Sequence, residues 1–492
     1  MLLENLLESI EKKAVSQVKD LRIKGIKYDS REVVQGDLFV AIKGFQTDGH
    51  QYIENALENG AVAVVLEDET YCTDRYPWIL VSDSRLSLAQ LSAAFFDYPS
   101  RKFTLIGVTG TNGKTTTTNL IARILEDAGY KVGLIGTIHN RIGSRILPGE
   151  RTTPESLDLQ KLFREMTEEG VTHVVMEVSS HALDLHRVTG SEFDLAVFTN
   201  LTQDHLDYHK SMEDYYQAKA KLFLGLDSPH NVKPGDKYAI VNTDDLWGKR
   251  LLKEIKVKTI SYGIEQGAFF RADQIKITPT GVSFLVDDRM INLKLTGKFN
   301  VYNSLAALAA VHALGIPLEK GIASLEKVTG IPGRFQLVEG SGDITVIVDY
   351  AHTPDSLENI LATAREFAQR RIITVFGCGG NRDRTKRPLM GKAAARYSDF
   401  CIITSDNPRN EEPEAIIEDI LSGLKEISFE NYRVVVDRRQ AITEALNLAE
   451  KGDIVIIAGK GHETYQEIKG KKYPFDDKQV AEEILSSLRR RS

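Results

Sequence analysis

The chain has 492 residues, 42% of them hydrophobic and 27% charged, with a formal net charge of −7. That length holds roughly two to four domains, about three being expected, and the apolar share is enough for ordinary cores. The negative balance excludes a surface built to coat nucleic acid, and no apolar run approaches the ~18–20 residues that span a bilayer.

Residues 1–11 read as an acidic amphipathic helix, not as a leader with a basic start and an unbroken apolar centre. Residues 36–42 read as a turn and strand, and 60–66 as a strand after a helix. The polar stretches 28–31 and 44–50 are loops at strand edges, where a small domain meets a ligand or simply turns. Cys72, Cys378 and Cys401 are far apart and offer neither a disulfide framework nor zinc spacing, which fits a reducing cytoplasm.

Residues 103–118 organise the rest. Residues 103–108 form a short β-rich run, and Gly110 and Gly113 then let the backbone turn sharply. Lys114 and Thr115 open a helical pattern through Ile121, Leu125 and Ala128 that Gly129 stops. Strand, glycine loop, Lys-Thr and helix make a cradle for a nucleoside triphosphate. Backbone N–H groups and the helix N-terminus hold the phosphates. Lys114 reaches the outer phosphates, and the Thr115 hydroxyl is placed for Mg²⁺. The generic G-x-x-x-x-G-K-[ST] pattern is broken once, with Val108 at its first glycine. A Gly/Thr-rich turn with a surface lysine is the plain alternative.

From there to about residue 335, strands at 131–137, 172–177 and 193–200 alternate with helices. This predicts a mostly parallel sheet covered on both faces. At 258–296 the period changes, and 275–285 reads as a hairpin in an attached antiparallel segment. Gly330-Ile-Pro-Gly333 reads as a hinge. From 336 the alternation returns, with strands at 345–349, 372–376, 400–404, 433–436 and 453–458 and helices at 354–367 and 413–424. This is a second doubly wound α/β unit.

Ligands of open α/β sheets sit at the carboxyl ends of the strands. Glu177 ends one strand before Val178-Ser179-Ser180-His181, and Asp204-His205-Leu206-Asp207 follows another. A carboxylate and an imidazole there complete a Mg²⁺ site begun by Thr115; alternatively Glu177 caps a helix and His205 sits in a turn. Lys219 and Lys221 lie on a helix and read as solvated charges. Asn300 and Asn303 share one face at a helix start and suit nucleotide or phosphate. N-capping also explains Asn300. Arg334 follows the hinge and reaches phosphate across the domain junction, while Asp349 faces ribose or orders the hinge. Three polar strand ends, at 377–384, 405–409 and 459–463, open onto one sheet edge. Arginines beside acids suit a zwitterionic ligand.

These motifs resemble the Mur ligases. Thr109-Gly-Thr-Asn-Gly-Lys-Thr-Thr116, Glu177-Val-Ser-Ser-His181, Asp204-His-Leu-Asp207, Gly297-Lys-Phe-Asn300-Val-Tyr-Asn303, Gly333-Arg334-Phe335 and Asp349-Tyr-Ala-His352 stand in that family's order and spacing, over essentially the whole chain. The ATP motif alone is shared with folylpolyglutamate synthetases. Asp29-Ser30-Arg31, Gly36-Asp37-Leu38-Phe39 and Asp406-Asn407-Pro408-Arg409 narrow the resemblance to members that add the third residue to UDP-N-acetylmuramoyl-L-alanyl-D-glutamate.

The resemblance implies a cytoplasmic, monomeric, ATP-dependent ligase of peptidoglycan synthesis with a three-domain α/β architecture. Residues 1–100 would be a small α/β domain for the UDP-sugar. Residues 101–335 would be a P-loop mononucleotide-binding parallel sheet for ATP, and 336–492 a Rossmann-like sheet for the incoming amino acid. Ser30, Phe45, Gln46 and Thr47 match UDP-sugar contacts; Thr152, Thr153, Ser179 and Arg187 match contacts to the muramoyl dipeptide. Gly110, Thr111, Asn112, Gly113, Lys114, Thr115, Thr116, Asn300, Asn303 and Asp349 match the ATP side. Lys219 matches a lysine carried as a carbamate, an anionic Mg²⁺ ligand beside Thr115, Glu177 and His205. By the same match Lys114, Glu177, His205, Lys219 and Arg334 are catalytic. Arg382, Asp406, Asn407, Pro408, Arg409, Gly459 and Glu463 match a pocket for meso-diaminopimelate. Arg409 with Arg382 would pair with the second carboxylate, which lysine lacks. The rival expectations are ligation of L-lysine, folate polyglutamylation, and a P-loop ATPase without ligase activity.

Overall fold

The computed structural model describes residues 1–45, 47–149 and 151–489. Runs of Val, Ile and Leu with both faces buried make the central strands, as a parallel sheet under two helix layers requires. Among the described residues, nine strands pair in the order Phe270–Arg271, Lys258–Gly263, Tyr238–Asn242, Leu195–Phe198, Thr104–Thr109, His173–Glu177, Val132–Ile135, Asn140–Ile142 and Arg145–Leu147. All are parallel except the hairpin Asn140–Ile142/Arg145–Leu147 at one edge.

The expected antiparallel segment at 258–296 needs correction. Lys258–Gly263 and Phe270–Arg271 continue the parallel sheet. Tyr262 and Phe270 are buried in the core that the helix Lys298–Ala313 covers. Only Asp273–Thr278, Gly281–Val286 and Arg289–Leu293 form an antiparallel sheet. Its first strand is largely exposed, as expected of a sheet with one solvated face.

On one face of the central sheet, Ile121 and Leu125 of the helix Lys114–Asp127 pack with Leu305 and Leu308 of Lys298–Ala313. On the other, Leu159, Phe163, Tyr216 and Phe223 fill a second core. The C-terminal sheet runs Gln336–Leu337, Thr345–Asp349, Ile454–Ala458, Ile372–Phe376, Phe400–Ile403, Tyr432–Val434. Only its first strand is antiparallel. Cores lie on both sides of it. The N-terminal sheet has five strands, with Asp37–Val40 and Ala63–Leu66 wholly buried. The expected N-terminal helix is shorter than its pattern: Leu3–Leu6 is α-helical and Leu7–Ser9 a 3₁₀ turn, with Leu3, Leu6, Leu7 and Ile10 buried. No described helix is long and apolar enough to cross a membrane.

One buried ion pair braces the C-terminal sheet. Arg438 Nε and Nη2 donate to Asp477 Oδ1 and Oδ2 at 2.8 and 2.7 Å, with both side chains 0% exposed. Nη2 also donates to Ala458 O at 2.9 Å, at the end of a strand that carries site residues. Arg438→Met leaves the Asp477 carboxylate buried alone. It is expected to cost about 3–5 kcal/mol, seen as a lower urea midpoint for the transition of the C-terminal unit. An unchanged midpoint would contradict this.

Candidate active site

A cleft of about 980 Å³ lies where the carboxyl ends of the central strands face those of the C-terminal sheet. In both sheets this is the edge where ligands gather. The nucleotide loop forms its floor.

Gly110 and Gly113 have φ of 147° and 85°, and a Cβ on them would lie 1.8 Å from Thr199 Oγ1 and 2.4 Å from Asn303 Oδ1. Only glycine fits such a turn. Lys114 Nζ donates to Gly110 O at 2.9 Å and Thr111 O at 2.8 Å. Thr115 Oγ1 donates to Glu177 Oε2 at 3.0 Å and accepts from Arg334 Nη2 at 2.9 Å. Arg334 thus crosses from the hinge to the nucleotide loop, its guanidinium 4.6 Å from the Tyr350 ring centroid. Glu177 also accepts from the Thr137 N–H at 2.9 Å and the Thr137 hydroxyl at 3.0 Å. Thr137 was not foreseen, because a threonine after a strand carries no distinctive signal.

Other nucleotide-side residues sit differently from one another. Thr111, Thr116 and Asn303 line the cleft. Asn300 lies behind it: its amide donates to Thr296 O at 2.8 Å, and its Oδ1 accepts from Asn303 Nδ2 at 3.1 Å. Asn300 orients Asn303 and does not cap the helix, whose N-cap is Gly297. Asp349 accepts from Phe335 N at 2.6 Å and Ala351 N at 2.7 Å, and so orders the hinge. Burial raises its carboxyl above the usual range. The Asn112 side chain donates to Asp355 Oδ2 at 2.6 Å, and the Thr202 hydroxyl to the same oxygen at 3.0 Å. Asp355 therefore docks the C-terminal unit on the nucleotide loop. In sequence it is only an acid in the first turn of the helix Pro354–Phe367.

Lys219 overturns its reading as a solvated charge. It is 1% exposed, donates to Gly110 O at 2.8 Å, and has Nζ 4.6 Å from the Tyr215 ring centroid. Lys221, two positions on, does stay outside and pairs with Asp184. Lys114 and Lys219 thus share one carbonyl. Burial first, and the Lys114 charge second, hold the Lys219 amine well below its ordinary pKa. His205 sits in the left-handed region at φ 56°, with Nε2 3.4 Å from Asp204 Oδ2. Burial keeps its imidazole neutral. Its ring meets His181 edge-on at 4.8 Å, within an unforeseen cluster that includes Tyr208, His209 and Tyr215.

Thr152, Thr153, Ser179 and Arg187 line the same cleft. The Thr153 hydroxyl donates to Glu177 O at 2.9 Å and accepts from Ser179 N at 3.1 Å. Arg187 pairs with Glu155 at 2.9 Å, and its Nε is buried without a partner. Ser30, Phe45 and Thr47 are not among the cleft's lining residues. Phe45 is 73% exposed, with its ring 5.9 Å from Tyr208. Gln46 lies outside the described residues.

At the far end the three polar strand ends do meet. Arg382, Asp406, Asn407, Arg409, Gly459 and Glu463 all line the cleft, while Pro408 is buried behind it. Arg409 Nη1 donates to Gly380 O at 2.7 Å, and its Nε lies 3.4 Å from Glu467 Oε2. Asp406 Oδ2 is buried without a partner. Lys460, Glu467 and Lys386 were not singled out from sequence. Each is a common charged type with no local mark of its surroundings.

With this geometry in view, comparison with known proteins gives consistent matches. Three family models match: "Mur ligase family, catalytic domain" over residues 22–96, "Mur ligase middle domain" over 108–311, and "Mur ligase, glutamate ligase domain" over 333–461. A relative from Caldanaerobacter subterraneus subsp. tengcongensis is 48% identical over 493 residues, covering 99% of each chain. One from Clostridioides difficile is 48% identical over 498 residues, covering 99% of this chain and 100% of its own. Both are named UDP-N-acetylmuramoyl-L-alanyl-D-glutamate–2,6-diaminopimelate ligase. A solved structure of that name is 34% identical with TM-score 0.68, covering 98% of this chain and 99% of its own. The MurF ligase of Thermotoga maritima in complex with ADP, 22% identical with TM-score 0.64 over 96% of this chain and 100% of its own, shares the fold.

Proposed function

The chain belongs to the Mur ligase family, and from that premise we propose that it uses ATP to join 2,6-diaminopimelate, in its meso form, to UDP-N-acetylmuramoyl-L-alanyl-D-glutamate in peptidoglycan precursor synthesis. The observation that carries the choice of amino acid is the pocket of Arg382, Asp406, Asn407 and Arg409 facing the nucleotide loop across one cleft. Two arginines suit a second carboxylate that lysine does not have.

A carboxylate is a poor acyl donor because oxide is a poor leaving group. Phosphorylation by ATP turns the D-glutamyl side-chain carboxylate into an acyl phosphate, the amine attacks the acyl carbon, and phosphate leaves. Such transfer asks the protein for positioning and charge neutralisation. The loop N–H groups and Lys114 hold the phosphates, and Arg334 adds positive charge from the other side of the cleft. Thr152, Thr153, Ser179 and Arg187 hold the dipeptide, and Ser30, Phe45 and Thr47 the UDP-sugar. We divide the chain at 1–100, 101–335 and 336–492 for UDP-sugar, ATP and amino acid. We assign it to the cytoplasm as a monomer. Its three cysteines are unpaired, as a reducing compartment keeps them.

Thr115, Glu177, His205 and, as a carbamate, Lys219 would hold Mg²⁺: all four line the cleft, and the Thr115 hydroxyl and Glu177 carboxylate, 3.0 Å apart, are oxygen donors of the kind Mg²⁺ takes beside phosphate oxygens and water. When bound, the ion neutralises phosphate charge. Lys219 as a carbamate would replace a second cation beside Lys114 on the shared Gly110 carbonyl with an anion, and burial already lowers the pKa of its amine, which favours the unprotonated form that reacts with CO₂. Removing CO₂ and bicarbonate is expected to lower activity reversibly, with a ¹³C carbamate signal returning on labelled bicarbonate. Full activity without CO₂ and no such signal would remove the carbamate from the scheme.

The direct test is phosphate release with ATP, Mg²⁺ and the UDP-dipeptide, run with meso-diaminopimelate or L-lysine. Release with diaminopimelate alone, and a tripeptide product by mass, is expected. Release with lysine would overturn the reading of Arg409. ATP cleavage independent of the UDP-dipeptide would favour an ATPase without ligase activity.

A further inference from the structure

We propose that Lys460 is a positioning residue of the amino-acid pocket: its ammonium fixes Glu463 and Asn407 toward the incoming diamino acid without touching it. The inference rests on the reading of that pocket given above.

Lys460 is 0% exposed and is not among the cleft's lining residues, whereas Asn407, Gly459 and Glu463 are. A buried ammonium must be paired and hydrogen-bonded to be tolerated. Lys460 Nζ donates to Glu463 Oε2 at 2.8 Å and to Asn407 Oδ1 at 3.1 Å. Asn407 Nδ2 closes the triangle by donating to Glu463 Oε2 at 2.8 Å. The Glu467 N–H adds a second donor to Asn407 Oδ1 at 2.9 Å.

Three consequences follow from this arrangement. Two donors on Asn407 Oδ1 fix which way its carboxamide points. Glu463 Oε2 accepts twice from within the protein, which leaves Oε1 for a ligand. The Lys460 charge balances Glu463, so the buried, unpartnered Asp406 Oδ2 is the acid left for a substrate ammonium. Gly459, at φ 117°, leaves room beside that oxygen, since a Cβ there would lie 2.5 Å from it. Without Lys460, Glu463 would be a partly buried acid with no cation, and Asn407 Oδ1 would keep only the Glu467 N–H as a donor.

The test is Lys460→Met, which keeps the stem and removes the charge. The KM for diaminopimelate is expected to rise roughly 10- to 100-fold, as when one partner of a buried charge pair is truncated. The KM values for ATP and the UDP-dipeptide should stay within about twofold, as for sites with no shared partner. A purely structural role would move all three constants together. Because Lys460 acts through Glu463 and Asn407, the double variant Lys460→Met/Glu463→Gln should lose less than the product of the two single losses. Multiplying losses would overturn the proposal, as would an unchanged KM for diaminopimelate in Lys460→Met. If that variant does not fold, Lys460→Gln keeps a donor to Asn407 without the charge. A smaller selective rise then supports the proposal, and a wild-type KM overturns it. Incorporation of lysine by the wild-type protein would instead overturn the reading of the pocket, and the same variants would then be read on the KM for lysine.

Discussion

Replacing Lys114 with methionine is expected to lower kcat by about 10²–10³-fold, the loss typical of removing one preorganised donor from a site where charge develops. The Lys114 side chain is half-buried at the cleft floor and held on two loop carbonyls, Gly110 O and Thr111 O. Burial lowers its pKa, and the Glu177 and Asp204 charges oppose that. Two carbonyl dipoles are weaker partners than a triphosphate, so in the proposed reaction the arriving phosphates would take the ammonium over. Methionine keeps the stem and the helix start but presents no charge. The glycine turn should survive, because the Thr199 hydroxyl donates to Asn112 O at 2.7 Å and the Thr111 N–H to Asn200 O at 2.9 Å, neither through Lys114. Steady-state phosphate release with the UDP-dipeptide and diaminopimelate reads the effect. A kcat within about tenfold of wild type would mean that the loop N–H groups and Arg334 suffice.

Arg409→Ala is expected to raise the KM for diaminopimelate by about 2–5 kcal/mol, or roughly 30- to several-thousand-fold. The KM for ATP should change little. Arg409 is held in one pose by Gly380 O and Glu467. Its backbone is left-handed at φ 52°, a strain that alanine shares, so the substitution isolates the guanidinium. Arg382 is exposed and makes no hydrogen bond or ion pair among the described residues, so it is the more adaptable partner. Lysine has no distal carboxylate, and its poor use should improve or stay level in the variant. Parallel KM measurements with diaminopimelate, lysine and ATP decide this. A rise shared equally by diaminopimelate and ATP would show a general disturbance of the cleft instead.

Much of the site was legible because its chemistry is local. The nucleotide loop is written in consecutive residues. Gly110 and Gly113 adopt a turn that other residues resist, and Lys114 and Thr115 follow at a helix start. The polar ends of strands at Glu177, Asp349, Asp406 and Gly459 were visible as breaks between apolar runs, and parallel topology gathers such ends on one edge. Arg334 was legible for the same reason, as the residue just past the hinge Gly330-Ile331-Pro332-Gly333.

The rest depended on distance between parts far apart in the chain. Lys219 and Lys221 look alike in sequence. One is buried on Gly110 and the other meets solvent, because the face of a helix that is covered is decided by what packs on it. Asn112 meets Asp355 only once two sheets face each other, and Lys460 meets Asn407 only once two strands of the C-terminal sheet end on one edge. Asn300 went behind Asn303, and residues 258–271 joined the parallel sheet, because tertiary packing outweighs a local change of period. The sequence by itself determined the backbone geometry of the phosphate cradle and the family of reaction, since sterics and turn chemistry act over a few residues. The tertiary structure decided which charges are buried and with whom, since that energy depends on separation in space and on exclusion of water.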